Sequence, residues 1–287
     1  MKKSFTILLV LIVFLSFTYA NTIFGVKSLA SSTPSAAPTG LYEFQVDVNG
    51  NVSGFTSHGN VKISGIDVDV DGLAYSNNLG LLAFQWTGSQ SRLVSINSST
   101  AQATVIGSFF NREIRGAVFQ DGVLLAVDAT NDAILEIDAN NGTLLSSLNI
   151  TLGGSALGIG NTTDLAYNGE LYLGNGSSVY AINLQDGSAT FKGNAVSTGL
   201  AFGTTNHLFG YDISGADDIF RYDISNNFSQ TTAFTNILSS FNSGRGDLAQ
   251  ATTFGALQFG SNIPEPTTVI MLIFGMLTLG CHTWKRN

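Results

Sequence analysis

Short apolar runs broken by glycine, asparagine and aspartate recur along most of this chain, and one arrangement of them repeats. Gly72-Leu73-Ala74-Tyr75, Gly116-Ala117-Val118-Phe119, Asp164-Leu165-Ala166-Tyr167, Gly199-Leu200-Ala201-Phe202 and Asp247-Leu248-Ala249-Gln250 each set a small or acidic residue before an apolar stretch. The copies begin 44, 48, 35 and 48 residues apart, close to the roughly 40 to 50 residues of a propeller blade. After each of the first four copies, a turn leads to a second apolar run, at 79–84, 123–127, 170–173 and 207–211. A third run follows at 92–96, 133–137, 178–182 and 218–222, with the two-residue alternation of a strand. It stops at Asn97, Asp138, Asn183 or Asp223, where a short polar side chain can bond the backbone ahead of it and start a turn. A weaker fourth run completes each unit, as at 143–150 after the hairpin signal Asn140-Asn141-Gly142.

Four antiparallel strands make one blade, and the chain's two ends supply the missing parts of another. Residues 247–260 read as first and second strands without a successor, and residues 41–56 as a third strand, an Asn49-Gly50-Asn51 turn and a fourth strand without a predecessor. Joining them predicts an all-β, five-bladed β-propeller of four-stranded antiparallel blades, closed by its N- and C-terminal strands. Such closure removes the open strand edges that invite aggregation. A β-sandwich fits the strand content but not the repeat, and another blade count is the remaining alternative.

Outside the repeat, the ends read as addresses. Lys2 and Lys3 precede an uncharged run at 5–17, and Thr18-Tyr19-Ala20 puts small residues at the third-last and last positions before a cut. This is the layout of a secretory signal peptide with cleavage after Ala20; Ser28-Leu29-Ala30 offers a second site, and an uncleaved N-terminal helix is the alternative to both. The expected domains are therefore a signal segment over 1–30, a Ser/Ala/Pro-rich lead-in over 31–39, the propeller over 40–262 and a tail over 263–287.

Composition narrows the partners of the ring. Residues 31–262 carry 19 acids against seven bases, a surface that repels nucleic acid and anionic lipid and favours neutral or basic partners. Only 11% of the chain is charged, while it has 32 glycines and 20 phenylalanines, a balance suited to short strands and tight turns. The one cysteine, Cys281, lies in the tail, so no disulfide braces the ring.

The tail has three parts in order: Pro264-Glu265-Pro266, an apolar run at 269–281, and Trp284-Lys285-Arg286. The prolines withhold backbone donors and force an accessible turn. The apolar run is short for a bilayer, although 267–284 could cross a thin one or cross at a tilt, and Lys285 and Arg286 would stop it on the cytoplasmic side. This sequence of parts resembles the PEP-CTERM sorting signal of bacterial exosortase substrates. The resemblance implies a protein exported, held in the membrane by a C-terminal transmembrane helix, cut by an exosortase near the Pro264-Glu265-Pro266 turn and passed to the cell surface or matrix. A plain C-terminal membrane anchor is the alternative. The repeat is also similar to the extracytoplasmic propellers with degenerate blades, a group with many functions.

Candidate chemistry is sparse. In a propeller the residues just before each inner strand rim the channel, which here picks out Asp71, Arg115, Thr163, Thr198 and Gly246. These five hold no carboxylate pair and no histidine, and Asp71 with Arg115 is their only charged pair. Asp67, Asp69 and Asp71, followed by Gly72, match the opening half of a calcium loop, but position twelve is Asn78 rather than a bidentate glutamate. The competing reading places the three on one solvated strand face with Val68 and Val70 inside. Asp128, Asp132 and the pair Asp217-Asp218 read as turn and rim residues, and His58 and His207 lack any zinc spacing. The expectation is a non-catalytic binding or structural module for an extracellular polysaccharide or surface protein, with calcium the one possible cofactor. The rival is a propeller enzyme of glycosidase, lyase, lactonase or cyclotransferase type working at the channel mouth.

Overall fold

A computed structural model describes residues 21–28, 39–160, 162–195, 199–203, 206–211, 218–234 and 246–251. The signal run at 5–17, and the tail with Pro264, Glu265, Pro266, Lys285 and Arg286, lie outside the described residues.

The repeat builds five blades. From the channel outward, blade 1 consists of Gly246–Ala251, Asn21–Ser28, Thr39–Val46 and Val52–Asn60. Blade 2 consists of Asp69–Ser76, Gly80–Trp86, Ser91–Ile96 and Gln102–Val105, and blade 3 of Ile114–Gln120, Val123–Asp128, Ala133–Ile137 and Leu144–Asn149. Blade 4 runs Thr163–Tyr167, Leu171–Asn175, Ser178–Ile182, Ala189–Asn194, and blade 5 runs Leu200–Phe202, His207–Tyr211, Ile219–Asp223, Ser229–Phe234. Every step within a blade is antiparallel. Blade 2 is extended on its outer edge by Lys62–Ile63, which pairs in parallel with Gln102–Val105, and by Ile66–Asp67. These short additions cover an edge that would otherwise offer free N–H and C=O groups.

The closing blade differs from the expected two-plus-two assembly. One C-terminal strand, Gly246–Ala251, is joined to three N-terminal ones, because Asn21–Ser28 occupies the second place. The ring thus begins at Asn21, well before the residue 40 boundary drawn from the sequence. Ile23, Phe24 and Val26 of that strand are buried. The Ile23-Phe24-Gly25-Val26 run reads from sequence alone as a continuation of the leader, because a buried strand and a leader are both simply apolar.

Five apolar clusters hold the ring, one in each gap between neighbouring blades. In the gap between blades 5 and 1, Phe44, Phe209 and Phe234 meet edge to face, with ring centroids 5.4–6.0 Å apart. The third-strand turns form as their sequence dictates in all five blades. Asp47, Asn97, Asp138, Asn183 and Asp223 each accept the backbone N–H two residues on, at 2.8–3.0 Å. Hydrogen bonds at these turns, first of all from the Asn51 side chain to Asp47, the Ser225 side chain to Asp223 and the Asn140 N–H to Asp138, hold the three carboxyls below the usual range.

Candidate functional site

The innermost strand of each blade is an edge strand turned toward the channel, so its inward backbone groups lack a sheet partner. What the five strands place there falls into two tiers along the channel.

The outer tier is set by two β-bulges. Register slips between Asp71 and Ala74 in blade 2, where Gly72 takes φ 62°, and between Ile114 and Gly116 in blade 3, which leaves Arg115 without a partner across the ladder. A bulge re-aims a side chain, and here the two turn Asp71 and Arg115 toward each other. Arg115 Nη1 donates to Asp71 Oδ2 at 2.5 Å and Nε to Glu113 Oε1 at 2.8 Å, while the guanidinium lies 5.1 Å from the Trp86 ring. The Asp71 and Arg115 side chains are only 7% and 3% exposed. Burial works against the guanidinium's charge, but Asp71 and Glu113 outweigh it and raise its pKa further. Burial also raises the Asp71 carboxyl, with Arg115 opposing. Next to them Asp69, buried and accepting from Thr39 Oγ1 at 3.0 Å, is pushed up to about 7 by burial and then by the charge of Asp71.

The inner tier lies one residue further along equivalent strands. Asp164 Oδ1 accepts its own strand's Leu165 N–H at 2.6 Å, and Oδ2 accepts Leu200 N–H from blade 5. Asp247 does the same: Oδ1 takes Leu248 N–H at 2.8 Å, and Oδ2 takes Leu73 N–H from blade 2. Glycine at the matching position of the preceding blade lets the strands approach this closely; a Cβ on Gly199 would lie 2.9 Å from Asp247 Cα, and one on Gly116 would overlap Asp164. The two carboxyls also act on each other electrically, and both are fully buried. Burial drives Asp164 well above the carboxylate range, helped by the charge of Asp247, while Asp247 is raised by burial to about 7. Two neighbouring carboxyls in a dry site cannot both carry charge cheaply, so burial and mutual repulsion favour keeping a proton on the pair.

The rim list from the sequence therefore held the outer pair, Asp71 and Arg115, and missed the inner one. The five rim positions themselves hold no carboxylate pair; the buried carboxyls Asp164 and Asp247 stand one position further along their strands. The signal was present, since aspartate stands at the repeat's first position in two copies and glycine in the other three. Thr163 is buried and donates to Gly160 O at 2.7 Å, and Thr198 lies outside the described residues.

The three aspartates considered for calcium are split. Asp67 is exposed, with Asn60 Nδ2 at 2.9 Å and Lys62 Nζ at 3.7 Å, whereas Asp69 and Asp71 are buried in the outer tier. They do not share a solvated face either, although Val68 and Val70 are buried as that reading required. Among the described residues no three His, Cys, Asp or Glu side chains are grouped to hold a metal ion. Asp128 is a buried rim residue that accepts Arg112 Nη1 at 2.8 Å, and Asp132 accepts Ile159 N–H at 2.5 Å.

No protein-family model and no curated protein matches the sequence. Solved structures do resemble it. A glutaminyl cyclase from Myxococcus xanthus matches with 13% identity and a TM-score of 0.37, over 68% of this chain and 90% of that one. A virginiamycin B lyase from Staphylococcus aureus matches with 11% identity and a TM-score of 0.38, over 74% and 73%. A chain from a nidogen/laminin complex matches with 14% identity and a TM-score of 0.43, over 80% and 98%. Likeness at this level concerns the fold alone. Enzymes stand among these structures, so the expectation that the ring is not an enzyme is withdrawn: the fold gives no ground for it.

Proposed function

We propose that this chain is an exported surface or matrix protein, sorted through Pro264-Glu265-Pro266 and the tail behind it, whose propeller binds an extracellular polysaccharide or another surface protein. The observation carrying this reading is the placement of the ring. Every described strand lies between Asn21 and Ala251, a span that includes neither end signal. A leader ending at Ala20 and a tail cut near Pro264 could be removed without taking any described strand from a blade. The excess of acid directs the ring toward neutral or basic partners and away from nucleic acid.

The test is the C-terminus of the mature protein in a host with an exosortase. Mass spectrometry is expected to find an end near Pro264-Glu265-Pro266, and deletion of the exosortase is expected to leave Asn287 in place and the protein in the membrane fraction. An intact Asn287 on protein released from normal cells sinks the sorting proposal and leaves a plain anchor.

A specific observation also favours a second reading, catalysis at the channel mouth. Asp69, titrating near 7 beside the Asp71–Arg115 pair, has the proton affinity of a general acid or base at neutral pH. Polysaccharide turnover that survives Asp69→Asn unchanged removes this reading.

A further inference from the structure

The leader carries two small-residue cut sites, after Ala20 and after Ala30, and the fold distinguishes between them. Residues Asn21–Ser28 are a full strand of blade 1, paired along their whole length with Thr39–Val46 and, from Thr22 to Lys27, with Gly246–Ala251. Thr22, Ile23, Phe24, Val26 and Lys27 are all buried, and Asn21 Nδ2 donates to Gly203 O of blade 5 at 3.0 Å. Lys27 lies against the Tyr211 ring, 5.4 Å from its centroid. Gly25 faces the Tyr42 ring so closely that a Cβ there would overlap it.

A cut after Ala30 would delete this strand. Gly246–Ala251 would then lose Asn21–Ser28, its only sheet neighbour among the described residues. The Asp247 side chain that reaches Leu73 of blade 2 would lose the strand holding it in place. The ring would open at one blade, exposing two edges and the apolar clusters on both sides of it.

We infer that signal peptidase cuts between Ala20 and Asn21, making Asn21 both the first residue of the mature protein and the first residue of a core strand, and that Ser28-Leu29-Ala30 is not used. The cut must precede closure of blade 1. Once the strand docks, Asn21 is paired with Val46 and Thr22 is buried, so a protease can no longer bind an extended segment across the bond. The order is therefore export, cleavage, pairing of the three N-terminal strands, and last the insertion of Gly246–Ala251 at the channel.

This inference rests on the export reading, and one experiment separates the failure of each. The full chain is expressed in a bacterial host with a Sec pathway, cells are fractionated, and the N-terminus is read by mass spectrometry. An exported protein beginning at Asn21 supports the inference. One beginning at Ser31 overturns it while leaving export intact. An intact Met1 on protein exposed outside the cytoplasm also overturns it, and an intact Met1 on cytoplasmic protein overturns the export reading with it. Ala20→Phe places a bulky residue at the last position before the cut; it is expected to accumulate uncut precursor. Protease-resistant protein beginning at Ser31 from this variant would show that the ring closes without the strand and would overturn the inference.

Discussion

At the channel mouth Asp71 faces a guanidinium; one residue further along equivalent strands, Asp164 and Asp247 face backbone N–H groups and each other. Both places bury carboxyl groups that would be stable in water, and they remove the cost by different means. The mouth keeps its charge and supplies a counterion, so its geometry depends on Arg115. The inner tier gives up charge by holding a proton and depends on pH, as Asp69 beside the mouth pair also does. A buried ion pair resists titration but fails badly when one partner is lost, whereas a proton-sharing pair tolerates neutral substitution but weakens in base.

The largest expected effect breaks the first half of this contrast. Arg115→Met leaves Asp71 buried beside Asp69 without its counterion, which should lower stability in urea unfolding by about 3–5 kcal/mol. Adding Asp71→Leu should recover most of that loss, because an apolar pair of similar size has no charge to satisfy. A loss under about 1 kcal/mol from Arg115→Met would place the pair with ordinary surface bridges and end the comparison.

The second prediction concerns pH. Asp247 and Asp69 both titrate near 7 in the folded protein, and an unfolded aspartate near 3.9. Their folded values are raised, so the stabilisation is fully present below about pH 4 and is lost as pH rises through 7, since between those values the folded chain binds more protons than the unfolded one. The Tm should accordingly fall from pH 5 to pH 8, by roughly 2–4 °C for each kcal/mol lost in a domain of this size. Asp247→Asn keeps an acceptor for a backbone N–H and has no proton to lose. It should make the fall shallower, whereas Arg115→Met should not. A Tm that rises across that range would show that the two carboxyls do not hold a proton.

The same contrast explains what the sequence could reveal. The blades were legible because each is a local event: a run of alternating residues, then Asp47, Asn97, Asp138, Asn183 or Asp223 bonding two residues ahead. Asp71 and Arg115 were legible because they stand at corresponding repeat positions and carry opposite charge. Asp164 and Asp247 were not, since their partnership spans 83 positions and depends on the ring closing. Strand Asn21–Ser28 was assigned to the leader because nothing local separates a buried strand from an apolar signal.

A smaller effect sharpens the mouth. Thr39→Ala removes the hydroxyl that donates to Asp69 and accepts from Val70 N–H at 3.1 Å, which should cost about 1–2 kcal/mol. It should also move the titration of Asp69 upward, because the Thr39 hydrogen bond is the strongest influence opposing its burial. Carbon-13 NMR of the Asp69 carboxyl reads that shift directly, and a downward movement would mean that Thr39 does not stabilise the charged form.

The smallest effect belongs to Asp67, the member of the aspartate run that stands outside both tiers. Its side chain is 39% exposed, and its bridge to Lys62 spans 3.7 Å between partners of similar exposure, a geometry worth about 0–1 kcal/mol at most. Asp67→Asn should therefore change stability by no more than about 0.5 kcal/mol, and adding a chelator should leave the Tm unchanged. Were calcium to bind the run, saturation at a hundred times its dissociation constant would add about 2.7 kcal/mol, well above that margin. A calcium-dependent rise in Tm abolished by Asp67→Asn would require Asp67 to swing inward beside Asp69. The mouth would then use a second cation besides Arg115, and the division between a charged outer tier and a protonated inner one would have to be redrawn around the metal.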